Sequence, residues 1–62
     1  MRNSYDNITL IRTIKHYVKV QGYNAMEAAS AVGKAAGFNA KQRQELFSQY
    51  MDMPKEFFNE DN

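Results

Sequence analysis

Two four-residue stretches, fifteen positions apart, constrain this chain more than anything else in it: Gly22-Tyr23-Asn24-Ala25 and Gly37-Phe38-Asn39-Ala40. Each combines a helix stop with a helix start. Glycine takes the left-handed backbone conformation that closes a helix, and the aromatic that follows can fold back on the last turn. Asparagine then accepts hydrogen bonds from the unpaired N–H groups that open the next helix. Three positions beyond each Asn stands Glu27 or Gln42, the reciprocal half of a capping box. Two such joints divide the chain into three short helices, expected over 6–21, 25–36 and 40–51, followed by a hydrophobic tail over 53–62. The fold class is therefore all-α, in a single small helical domain.

Sixty-two residues lie near the lower limit for a chain that folds alone. Chains this short usually rely on a staple, dense helix packing or a partner subunit. There is no Cys, which removes disulfides and thiolate metal sites. No apolar run approaches the roughly 18 residues of a membrane span. The first seven residues lack the apolar segment of a secretion signal, so the expected location is the cytoplasm. Net charge is +1, but residues 1–44 carry +5 and residues 45–62 carry −4. Such a split fits solvated surface, an anionic partner for one half, or a self-complementary dimer.

In helix 1, Leu10, Ile11, Ile14, Tyr17, Val18 and Gln21 recur at helical spacing, with Ser4, Asp6 and Asn7 competing as N-cap. The opposite face carries Arg12, Lys15, His16 and Lys19. Helix 2 is rich in alanine, whose small side chains let neighbouring helices approach closely. Gly33 within it costs about 1 kcal/mol relative to Ala, a cost that makes sense where another group presses on the backbone. Ala29, Gly33 and Gly37 are read as a groove seating Ile or Phe side chains from helices 1 and 3. Helix 3 is expected to turn Arg43, Leu46, Phe47, Tyr50 and Met51 inward and Lys41, Gln44, Glu45, Gln49 and Asp52 outward. Arg43 either pairs with a carboxylate or lies along the groove rim. Pro54 then stops the helix or opens a last short turn.

The tail offers Met53, Phe57 and Phe58. Two phenylalanines at a chain end fray unless they dock, and each is worth roughly 1.5–3 kcal/mol when buried. They either cap the core of their own domain or anchor in a groove on another subunit or partner.

No constellation suited to catalysis is visible. His16 has no carboxylate three or four positions away to orient it. One His without Cys cannot hold a metal, and no Gly-rich phosphate loop follows a strand. The chain is thus expected to be no enzyme and to need no cofactor. Arg12, Lys15 and Lys19 form the best polar surface, serving as a solvated face, a phosphate-binding face or a contact for an acidic protein. A DNA-reading helix-turn-helix is the competing class. Its recognition helix would present Lys41, Gln42, Arg43 and Gln44 to base edges. Against it, Arg43 falls where that motif wants a buried aliphatic, and the helix leads into an acidic end.

The run from Ile8-Thr9-Leu10-Ile11-Arg12-Thr13-Ile14-Lys15-His16-Tyr17 through Gly22-Tyr23-Asn24 to Met53-Pro54-Lys55-Glu56-Phe57-Phe58 gives the chain the look of a phage-encoded protein. In length and helical character it resembles the similarly short products of the exo–xis region of lambdoid phages. That resemblance covers the whole chain and transfers no functional residue. It implies a non-enzymatic early protein that biases development towards lysis through contacts with host or phage proteins. The expected partner is accordingly a protein, with a homodimer as one form, and Phe57, Phe58, Met53, Arg12, Lys15 and Lys19 as the candidate contact residues. Nucleic acid is the second-ranked partner, and no membrane role is expected.

Overall fold

Both capping boxes form, and they set the element order. A computed structural model describes residues 7–59, which hold α1 (Asn7–Val20), α2 (Ala25–Ala35), α3 (Ala40–Met51) and α4 (Lys55–Asn59), with no strand among them. At the α2 start, the Glu27 N–H donates to Asn24 Oδ1 at 2.9 Å and the Asn24 N–H donates to Glu27 Oε1 at 3.4 Å. At the α3 start, the matching bonds between Gln42 and Asn39 are both 2.9 Å. Gly22 and Gly37 take φ of +81° and +83°, the left-handed region that an L side chain resists. The candidate caps Ser4 and Asp6 lie outside the described residues. Asn7 is already helical, and its Nδ2 donates to Gln49 Oε1 on α3 at 2.6 Å.

The core is small and draws on all four helices. Leu10, Ile11 and Ile14 of α1 meet Ala28, Ala29 and Val32 of α2, Leu46 and Tyr50 of α3, and Phe57 of α4. Ile14 and Leu46 are almost wholly enclosed, each contributing roughly 1.5–3 kcal/mol by burial. The alanines let α2 lie as a thin layer between α1 and α3, touching both more extensively than they touch each other. Tyr17 and Val18 pack partly against this core, while Gln21 is exposed.

Three expectations about facing are corrected. Met51 points outward and is 55% exposed, because Tyr50 takes the inward position at the end of α3. The seat at Gly33 holds neither Ile nor Phe but the aliphatic stem of Arg43. A Cβ built on Gly33 would stand 2.5 Å from Arg43 Cγ, so only glycine admits that stem. The Arg43 head then donates from Nη1 to the Phe38 carbonyl at 3.0 Å, which leaves the residue partly buried. Finally, Lys15 is only 5% exposed, although the periodicity placed it on the face opposite the core. The tail explains why. Pro54 opens a further turn, with the Phe57 N–H donating to the Pro54 carbonyl at 2.9 Å, and α4 covers the Lys15 side of α1.

Candidate interaction surfaces

The basic stripe and the phenylalanine pair, which look independent along the chain, meet in space. Lys15 Nζ donates to the Phe57 carbonyl at 2.7 Å and stands 4.4 Å from the centre of the Phe57 ring. One turn on, Lys19 Nζ donates to the Phe58 carbonyl at 3.1 Å. Both carbonyls belong to the last turn of α4, whose C=O groups have no partner within the helix and carry its negative dipole end. Two lysines from α1 therefore cap α4 from outside with charge-assisted bonds. Two cations of the basic stripe are thus engaged within the molecule, by backbone carbonyls of α4.

Phe57 is buried, and Phe58 and Met53 are partly buried against the same core. Tyr50, Phe57 and Phe58 form a triangle of edge-to-face rings with centroids 5.2–6.3 Å apart, a preferred aromatic geometry. Burial beneath these rings pushes the Tyr50 phenol above its usual pKa. Phe57 and Lys15, both candidate partner contacts, are accordingly corrected to internal positions, since their groups satisfy each other within the chain. Arg12 and His16 remain exposed beside them, forming with Lys15, Lys19 and Val20 a shallow groove on α1.

The four residues of the DNA-reading alternative divide in two. Gln42 is held by its capping box and Arg43 by Gly33 and Phe38. Lys41 and Gln44 are exposed. A recognition helix needs several free side chains over its first turns, and half of this set is tied into the joint.

Another face emerges that sequence spacing did not single out. Met26 at the start of α2 is 65% exposed and lines a groove with Ser30, Ala40, Arg43, Gln44 and the half-buried Phe47. Met51 continues the same line along α3, since Ala40, Gln44, Phe47 and Met51 recur at steps of four, three and four. The signal was in the chain: those residues share a stripe distinct from that of Leu46 and Tyr50. Assigning Met51 to the core concealed it, while Phe47, which does pack in part against the core, borders both. A second crevice lies between α1 and α2 beside Thr9, Thr13 and Tyr17, where the Thr13 hydroxyl donates to the Thr9 carbonyl at 2.9 Å.

Among the described residues, no group of three or more His, Asp or Glu side chains could hold a metal ion, and no helix is long and apolar enough to cross a membrane. No family model matches the chain, and neither a curated protein nor a solved structure is detectably similar to it.

Proposed function

We propose that this protein is a non-enzymatic adaptor or regulator that works through protein–protein contacts made by the α2–α3 face. One observation carries the reading. With Phe57 packed inside, Met26 is left in solvent in a groove with the half-buried Phe47, and Met51, also exposed, stands one turn beyond Phe47 on the same stripe of α3. Methionine suits such a surface because its unbranched, polarisable side chain adapts to a partner's shape. Exposed apolar groups gathered on one face mark an interaction site, whereas scattered ones do not. The resemblance to exo–xis products supplies the setting, an early phage protein meeting a host or phage protein in the choice between lysis and lysogeny.

The test is photocrosslinking in cells from a reactive side chain placed at position 26 or 51, beside a control at the exposed Lys55. Discrete adducts from 26 and 51 but not from 55 are expected. Adducts absent from both, or formed equally from position 55, would overturn the reading.

The DNA-binding alternative keeps Lys41 and Gln44 as contacts, with Arg12 and Lys19 for phosphates. Its affinity would fall steeply with salt, by one counterion per phosphate contacted. Binding to duplex DNA at low and physiological salt separates it from a methionine-anchored contact, which salt scarcely alters.

A further inference from the structure

We infer that the partner seated on α3 is a second copy of this chain, laid antiparallel along the Ala40–Gln44–Phe47–Met51 stripe. This deepens the proposed protein-contact function and rests on it.

Three features of α3 point to that occupant. The first is spacing. Steps of four, three and four read the same in either direction, so a reversed copy sets Ala40 against Met51 and Gln44 against Phe47. Each bulky side chain then faces a smaller one, whereas a parallel copy would place Phe47 on Phe47 and Met51 on Met51.

The second is charge. At 100° per residue, Lys41 and Asp52 lie within about 20° of each other on one flank of the stripe, roughly 16 Å apart along the axis. Both are exposed. Reversal brings each Lys41 to the end and flank that carry Asp52 of the other copy, whereas in a parallel pair this flank faces the opposite flank of the partner and the two charges do not meet.

The third concerns the helix dipole. α3 has no acidic residue in its first turn and no basic residue in its last; it has Lys41 at the positive end and Asp52 as C-cap at the negative end. Each charge is unfavourable in its own helix. Antiparallel pairing places Lys41 beside the partner helix's negative end and Asp52 beside its positive end, which offsets the penalty each charge carries in its own helix. A chain this short, with nine buried apolar residues among those described, also gains more than most from association. One helix and Met26 on each side make a contact below the standard size of roughly 800 Å² per partner, so the dimer is weak and concentration-dependent.

Sedimentation equilibrium of the full chain across the micromolar to millimolar range tests this. The mass is expected to climb from 7.2 kDa towards twice that value. Met51→Lys, at an exposed position, should hold the protein at the monomer mass. Lys41→Glu and Asp52→Lys should each weaken dimerisation about five- to tenfold, and the double exchange should recover the part owed to the Lys41–Asp52 pair. Lys41→Glu should at the same time raise the melting temperature of the dilute monomer, since it favours the α3 dipole. A variant that is merely damaged cannot do both. A constant 7.2 kDa at the highest concentration would overturn the second-copy inference. The protein-contact reading would still be decided by crosslinking from positions 26 and 51. A dimer whose double exchange fails to recover would overturn the antiparallel arrangement.

Discussion

The two joints share a sequence pattern but are closed by different means. At the second, the Phe38 N–H donates to the Gly33 carbonyl at 2.9 Å and the Gly37 N–H to the Lys34 carbonyl at 3.0 Å, the full pair of bonds of a Schellman stop. At the first, the Tyr23 N–H reaches one residue further back, to the Tyr17 carbonyl at 3.2 Å, and the Gln21 N–H shares that acceptor. Tyr23 stays 42% exposed, with its ring 5.3 Å from that of Tyr17, whereas Phe38 packs against the core. The fifteen-residue offset that aligns the joints also aligns Val18 with Gly33 and Ala28 with Arg43. Bulk sits before the stop at one joint and after the start at the other. A repeated local signal therefore sets where the chain turns, while the residues around it set how tightly.

The sharpest way to break this contrast is at Gly33. Gly33→Val should destabilise the domain by about 2–3 kcal/mol in urea unfolding, because the added carbons meet the Arg43 stem. In an Arg43→Ala background the same change should cost less than about 1 kcal/mol. Equal costs in both backgrounds would show that the stem is not what the glycine accommodates.

A second comparison extends to the α3–α4 junction, which has no glycine and is held from α1. Lys15→Met should cost about 2 kcal/mol, since it leaves the buried Phe57 carbonyl without its charged donor. Lys19→Met, at an exposed position, should cost under about 0.5 kcal/mol. Thermal unfolding followed by circular dichroism would rank the two, and a reversed order would sink the account of α4 docking.

Smaller effects distinguish the capping boxes. Asn39→Ala should lower stability by about 1–1.5 kcal/mol and Asn24→Ala by about 0.5–1 kcal/mol, following the tighter geometry at Asn39. The smallest effect lies in alkali. Tyr50 has a raised folded-state pKa through burial, so its contribution is complete below the unfolded value near 10 and is lost as pH climbs through the folded value. Tyr50→Phe should flatten that part of the melting-temperature profile; an unchanged slope would assign it to other groups.

These contrasts also explain what could be read from the chain alone. The joints, the helix bounds to within a residue or two and the inward face of Leu10, Ile11 and Ile14 follow from neighbours within five positions, where spacing and capping chemistry suffice. The need for glycine at 33 was legible too, but not its occupant, because Arg43 reaches it only through the crossing of α2 and α3. Lys15 was placed on an outward face, as solvated or as a partner contact, for a similar reason. Its acceptor lies 42 positions away, and a lysine enters a core only where a carbonyl and an aromatic face await it. Met51 misled because helical spacing alone did not reveal that Tyr50 outcompetes it for the interior.

The Lys15–Phe57 bond has a kinetic consequence. It closes a loop of 42 positions, while the α1–α2 and α2–α3 contacts form between neighbours in the chain. A five-residue helix has little structure of its own, and its seat on α1 and α3 is complete only once those helices have packed. α4 is thus the last element to settle during folding and the first to open. In native-state hydrogen exchange its amides should form a separate unit of low protection, released together while Ile14 and Leu46 remain locked.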